Sequence, residues 1–197
     1  MLRLAAPDRC TSCGDPGSAL CSRCGRELPA CPRLEAPPPL RRLGAGWLYE
    51  GAARSLVLGL KLRGMRGHGA PLAEAMCRAA WRDGLDGDAV TWVPCLPADA
   101  RSRGYDHAEV LARAVARRLG LPADRLLDPS GPRSDQTVLG AAQRRENLKD
   151  AFVARPVHGR VVLVDDVMTT GATICTCARA LLKAGAVGVE GLVGCRA

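Results

Sequence analysis

The chain has 197 residues, of which 47% are hydrophobic, and carries a net charge of +8. This length suits one domain of the usual ~100–150 residues with a small appendage. No apolar run approaches the ~20 residues of a membrane span, and the N-terminal segment lacks the apolar stretch of a signal peptide, so we expect a cytoplasmic protein. Up to residue 70 there are eleven Lys or Arg against five Asp or Glu, and afterwards seventeen against fifteen. This early basic excess suits either an anionic partner, such as phosphate or nucleic acid, or simply an arginine-rich solvated surface.

Two closely spaced cysteine pairs, Cys10-x2-Cys13 and Cys21-x2-Cys24, stand near the start of the chain. Two such turns present four thiolates to one tetrahedral metal ion, which predicts a small structural zinc module of the zinc-ribbon type. An iron–sulfur cluster or free, redox-active thiols are the alternatives. Cys31 is a spare thiol that could substitute as a ligand. The remaining cysteines are expected to be small core residues: Cys77, Cys95, Cys175, Cys177 and Cys195.

The composition divides the chain into three parts. Residues 1–35 hold the cysteine pairs, and residues 36–46 contain three consecutive prolines that predict a stiff linker. Residues 47–197 alternate strand-like and helix-like stretches, which predicts an α/β domain with a mostly parallel sheet flanked by helices. The elements predicted with defined bounds are strands over 89–93, 160–164 and near 187–193, and helices over 106–119 and 173–184.

The most informative motif is VVLVDDVMTTGAT, residues 161–173. An apolar strand is followed by Asp165 and Asp166, and then by a turn of small residues that leads into a helix. Ligands of open α/β sheets bind beyond the carboxyl ends of the strands, and a Thr/Gly turn at a helix N-terminus offers N–H groups and hydroxyls to a phosphate. Two carboxylates beside a phosphate are best explained by ribose hydroxyls, which donate hydrogen bonds to them. The alternative is an ordinary strand–turn–helix with a capping Asp.

This segment resembles the binding motif for 5-phosphoribosyl-1-pyrophosphate (PRPP) of type I phosphoribosyltransferases. The resemblance implies that Asp165 and Asp166 hold the ribose 2′- and 3′-hydroxyls and that Mg²⁺ accompanies PRPP. It also implies a cradle for the 5′-phosphate, made of Thr169, Thr170, Gly171, Ala172 and Thr173.

Two further loops are candidates for contacts with pyrophosphate. The first follows the strand over 89–93, and the second precedes Phe152 and is predicted to run from a loop into a short helix. The alternative interpretation of each loop is an exposed basic surface segment. The candidate residues are Cys95, Leu96, Arg101, Arg103, Gln136, Arg144 and Asn147.

The order of all these motifs resembles the ComF (competence protein F) family of phosphoribosyltransferase-like proteins, over nearly the whole chain. The resemblance implies handling of single-stranded DNA during natural transformation, with a DNA-uptake helicase as a partner. Where the family usually continues its RG-aromatic stretch with Asn-Gln, this chain has Asp106 and His107. Lys61 matches a family lysine whose role the sequence does not define.

Three functions remain open from the sequence. The first is a phosphoribosyltransferase that releases pyrophosphate from PRPP by positioning and electrostatics, since no covalent nucleophile is recognisable. The second is a non-catalytic accessory factor that handles single-stranded DNA, with Arg41 and Arg42 as phosphate contacts and Trp47 and Tyr49 as candidates for base stacking. The third is a regulator that senses PRPP without turnover. No motif identifies an acceptor base.

Overall fold

The computed structural model describes residues 9–95, 101, 104–130 and 151–197. Four parallel strands form the main sheet in the order β1-β6-β5-β2, and β3 pairs antiparallel with β4 in a separate ribbon. The strands are β1 (Leu43–Leu48), β2 (Ala89–Trp92), β3 (Leu127–Pro129), β4 (Phe152–Ala154), β5 (Arg160–Met168) and β6 (Gly188–Arg196). The helices are α1 (Ser22–Glu27), α2 (Gly51–Leu62), a 3-10 turn (Arg66–His68), α3 (Gly69–Asp83), α4 (His107–Leu119) and α5 (Ala172–Lys183). Among these described helices, none is both long and apolar enough to cross a membrane.

Helices cover both faces of the main sheet, which confirms the predicted fold class. On β5, Val162 and Val164 join the core that α2, α3 and α4 complete. Their neighbours Val161 and Leu163 join a second core built largely on α5. Burial on both faces explains why the strand is a continuous apolar run rather than an alternating one.

The predicted α4 is confirmed at both ends. Asp106 is its N-cap and accepts hydrogen bonds from the backbone N–H groups of Ala108 and Glu109, at 2.9 and 3.4 Å. Gly120 ends the helix in the left-handed region, with φ of 71°. Strand β5 is longer than predicted, since its pairing with β6 continues to Met168. Both Asp165 and Asp166 therefore lie within the strand and not beyond its end.

The N-terminal segment docks directly on the α/β domain. Strand β1 begins at Leu43, inside the range 36–46 that was predicted as a linker. Ala30 forms an antiparallel bridge with Trp47, and the Cys31 N–H donates to the Gly46 carbonyl at 3.0 Å. Arg82 of α3 donates to the Cys31 carbonyl at 2.6 Å. Trp47 is only 3% exposed, so it cannot stack on bases as the sequence suggested.

Arg41 and Arg42 face a buried carboxylate rather than solvent alone. The Glu190 side chain is 0% exposed, and its Oε1 lies 3.6 Å from Arg41 Nε and 3.7 Å from Arg42 Nη1. Burial raises the pKa of Glu190, while the charges of Arg42 and Arg41 act in the opposite direction. The two arginines therefore compensate a charge inside the fold and are a poor choice for probing DNA contacts.

Reversing both charges, Arg41→Glu with Arg42→Glu, is expected to destabilise the fold by roughly 3 kcal/mol, because a buried carboxylate would lose its compensating cations. Urea unfolding measures this effect. The matched control is Arg117→Glu on the exposed side of α4, which should change the midpoint little. Equal midpoints for the double variant and the control would contradict the role of the arginines.

Candidate functional site

The segment between β5 and α5 forms a tight, concave turn. Thr169 and Thr170 are exposed, and Gly171 adopts a left-handed conformation with φ of 78°. Asp165 and residues 167–174 line a cavity of about 50 Å³. The first turn of α5 opens onto this cavity and holds no acidic residue. Backbone N–H groups at the start of a twelve-residue helix, with the helix dipole behind them, suit an anion.

The two adjacent carboxylates have different surroundings, as successive side chains of a strand point to opposite faces. Asp165 lines the cavity of the turn. Asp166 is 3% exposed and lies on the side of α2 and α4, in contact with Lys61 and His107. The structure thus brings Asp165 to the predicted phosphate turn, and directs Asp166 away from it.

Asp166 is held by two cationic or potentially cationic groups. Its Oδ2 lies 3.0 Å from Lys61 Nζ and 3.2 Å from His107 Nε2, and its Oδ1 accepts a 2.7 Å hydrogen bond from the Val167 N–H. Burial opposes ionisation of Asp166, but the contacts with His107 and Lys61 outweigh it and lower the pKa of the carboxyl below its usual range. Asp166 is therefore a fixed negative charge that ties α2, α4 and β5 together.

Asp165 has the opposite electrostatic character. Burial and the neighbouring charge of Asp166 raise the pKa of Asp165 well above its usual value, although the Asp166 N–H donates to Oδ1 at 2.8 Å and Lys61 partly compensates. A hydrogen bond from a hydroxyl group, or contact with a cation, stabilises the charged form of such a desolvated carboxylate more than that of a solvated one. Asp165 therefore differs from Asp166 both in its surroundings and in the direction of its pKa shift.

The predicted pyrophosphate residues are only partly described. Cys95 follows β2, and its backbone N–H donates to Asp106 Oδ2 at 3.3 Å. Since β2 pairs with β5 in parallel, Cys95 lies at the same edge of the sheet as the turn between β5 and α5. Arg101 is exposed. Five candidates lie outside the described residues: Leu96, Arg103, Gln136, Arg144 and Asn147. Phe152 begins strand β4, so the predicted helix does not extend to it.

The four N-terminal cysteines converge as predicted. The sulfurs of Cys10, Cys13, Cys21 and Cys24 all lie within 4.8 Å of one another. Each pair forms the same turn, in which the N–H of the glycine after the pair, Gly14 or Gly25, donates to the carbonyl of the first cysteine at 2.9 Å. Four thiolates in this arrangement fit a closed tetrahedral metal site, for which zinc is the best match.

Backbone groups favour the thiolate form of the first cysteine. Burial opposes ionisation of Cys10, but N–H groups from Cys13, Cys21 and Ser12 donate to its sulfur and lower its pKa to about 6. Cys31 is apart from this group. It is buried in the core beside Leu40 and Leu43, so it is not a substitute ligand in this arrangement.

Comparison with known proteins decides the family. DNA utilization protein YhgH of Salmonella typhimurium is 33% identical over 195 residues, covering 95% of this chain and 83% of that protein. The protein of the same name from Escherichia coli K12 is 31% identical over 199 residues, with the same coverage. Competence protein F of Haemophilus influenzae is 35% identical over 104 residues, covering 50% of this chain and 45% of that protein. The chain belongs to the ComF family. No family model matches this ComF protein.

Solved structures overlap this ComF protein only in part. The allosteric regulatory enzyme of purine biosynthesis is 19% identical, with a TM-score of 0.45 over 70% of this chain and 30% of that one. Adenine phosphoribosyltransferase from Thermoanaerobacter pseudethanolicus is 18% identical, with a TM-score of 0.38 over 62% of this chain and 77% of that one.

Two residues of the site in this ComF protein were not predicted from the sequence. In the sequence, Asp106 and His107 stood out only as a departure from the family's usual Asn-Gln. Both lie beside β5 because α4 packs against β2 and β5. The structure also gives Lys61 a defined contact, the 3.0 Å ion pair with Asp166. The available signal in the sequence was that Lys61 is a basic residue in the last turn of α2. Its partner, Asp166, lies more than a hundred positions further along the chain.

Proposed function

We propose that the protein binds PRPP with its 5′-phosphate in the turn between β5 and α5. The observation that supports this most directly is the cavity in which Asp165, the left-handed Gly171 and the start of α5 meet. The phosphate accepts hydrogen bonds from the backbone N–H groups and from the hydroxyls of Thr169, Thr170 and Thr173. The ribose hydroxyls donate to Asp165.

In this proposal, Asp166 acts mainly by holding the site together. It is almost fully buried and already paired with Lys61 and His107, so a ribose contact would require it to turn from both. Lys61 is 41% exposed and adds positive charge at this end of the sheet. Mg²⁺ binds through one or two carboxylates together with substrate phosphates and waters. Asp165 is the described carboxylate that fits such a role.

The chemistry we propose is transfer of the phosphoribosyl group with release of pyrophosphate. The described residues supply hydrogen-bond donors, a fixed charge pair and a carboxylate, which suits catalysis by positioning and electrostatics. A pyrophosphate-release assay with PRPP, Mg²⁺ and a panel of nitrogenous bases tests it. Release that depends on one base supports an enzyme. Saturable binding with no release for any base favours a PRPP-sensing regulator.

A role with single-stranded DNA is the second candidate, and a DNA-uptake helicase is its proposed partner. The names of the relatives, DNA utilization protein and competence protein, support a DNA-related function. Arg54 and Arg63 are exposed residues of the basic first part of the chain and lie on or directly after α2. They replace Arg41 and Arg42 as the residues to test.

Reversing the charges of Arg54 and Arg63 to Glu should weaken the binding of an unstructured oligonucleotide and flatten its salt dependence. The log–log slope with salt should change by roughly 0.7 for each phosphate of the single strand that the variant no longer neutralises. Fluorescence anisotropy at several salt concentrations measures this slope, with Arg117→Glu as the control. Wild-type protein that shows no salt-sensitive binding, or variants with an unchanged slope, would exclude this surface.

A further inference from the structure

Three different metal-ligating side chains meet where β2 ends and α4 begins. The ligand atoms of Cys95, Asp106 and His107 all lie within 4.8 Å of one another. The backbone fixes this meeting, since the Cys95 N–H donates to Asp106 Oδ2 and Asp106 is the N-cap of α4. The group is separate from the four N-terminal cysteines, and Asp106 and His107 are consecutive residues at the start of α4.

His107 supplies the observation that points to a ligand. The residue is 5% exposed, and its Nδ1 has no hydrogen-bond partner among the described residues. Buried polar atoms in folded proteins nearly always have a partner, so an orphaned ring nitrogen requires an explanation. Its other nitrogen, Nε2, lies 3.2 Å from Asp166 Oδ2.

This contact orients the ring for metal binding. A neutral imidazole with its proton on Nε2 directs that proton toward Asp166 Oδ2, 3.2 Å away, and leaves the lone pair of Nδ1 available. Metal-ligating histidines usually donate their second N–H to a carboxylate or carbonyl in this way, which fixes the tautomer and makes the ligand more basic. Asp166 is the outer carboxylate of such an arrangement.

We propose that Cys95, Asp106 and His107 form a second metal site, selective for zinc or a similar divalent transition metal. Thiolate and imidazole ligands favour zinc and its neighbours over magnesium. Three protein ligands leave a fourth position open, as in zinc sites that bind an exchangeable water or substrate, whereas the four-cysteine site is closed. Cys95 is half-buried, which gives the ion a path from solvent. Asp106 can keep its capping hydrogen bonds while it binds, because a carboxylate offers about four lone-pair positions.

The experiment counts cobalt ions bound by the full chain after the four-cysteine site has been filled with zinc. Wild-type protein should bind one additional Co²⁺ and develop a thiolate-to-cobalt absorption band. The decisive variant is Asp106→Asn with His107→Gln, since Asn remains a good N-cap and the Gln amide can still donate to Asp166. This variant should lose the additional cobalt.

Cys95→Ser provides a second, independent variant, which should lose the absorption band even if the double variant fails to fold. The control is Cys77→Ala, which removes a buried thiol on α3 and should leave the additional cobalt in place. A wild-type protein that binds no additional cobalt would overturn the proposal. So would an additional ion that survives both the double variant and Cys95→Ser.

Discussion

We propose that the four-cysteine site holds zinc, and removal of this zinc is expected to unfold the N-terminal module and also to lower the melting temperature of the whole chain. Structural zinc contributes on the order of 10–16 kcal/mol to the folding of small zinc-finger peptides. The module here is not insulated from the domain, since Ala19 lies in the same core as Trp47 and α3. Without the Ala30–Trp47 bridge and the Arg82 hydrogen bond, β1 would be exposed at the edge of the main sheet.

Thermal unfolding with and without a chelator measures the effect, together with metal analysis of the same samples. A chain of this size loses about 2–4 °C of melting temperature for each kcal/mol, so a loss of at least roughly 5 °C is expected. Cys21→Ser should reproduce the effect of the chelator, while Ser12→Ala, an exposed change that keeps all four thiols, should not. An unchanged melting temperature after complete loss of zinc would show that the module and the domain are independent.

Asp165→Asn is expected to have opposite effects on stability and on ligand binding. Because burial and Asp166 raise the pKa of Asp165, the folded state binds a proton more tightly than the unfolded chain does. Stability therefore falls as pH rises from the unfolded value near 3.8 through the raised pKa, and the charge is destabilising above it. Replacing Asp165 with neutral Asn should thus leave the protein equally or more stable at neutral pH.

The same change should weaken PRPP binding roughly 10- to 100-fold, because hydrogen bonds to a charged group contribute about 1.5–3 kcal/mol. Thermal unfolding in the presence and absence of PRPP and Mg²⁺ reports both effects. The variant should melt no lower than wild type without ligand and show a much smaller rise with it. Asp124→Asn, an exposed carboxylate outside the site, is the control. A full ligand-induced rise in Asp165→Asn would remove Asp165 from the proposed site.

The turn between β5 and α5 could be predicted because its signals are local. A continuous apolar run determines a strand buried on both faces, and the small residues after it determine the turn into α5. The four-cysteine cluster could be predicted for the same reason, since it depends on two short turns that are each close in sequence. Period-two alternation also implies that Asp165 and Asp166 point to opposite faces of the sheet. The assignment of both to the ribose hydroxyls stays a prediction.

The contacts of Asp166 could not be predicted in this way. Lys61, His107 and Asp166 come from three elements that only the packing of α2 and α4 on the sheet brings together. The docking of the N-terminal module was missed for a related reason. Three prolines indicated a stiff spacer, but the segment before them pairs with β1, and Pro37 lies beside Gly171 at the β5–α5 turn.

The most direct test is a calorimetric titration of the zinc-loaded full chain with PRPP in the presence of Mg²⁺. Saturable binding of one PRPP per chain, weakened by ribose 5-phosphate as a competitor, is expected from a site in which Asp165 and the β5–α5 turn recognise the sugar phosphate. Absence of binding at millimolar PRPP, or binding that ribose 5-phosphate does not weaken, would contradict it.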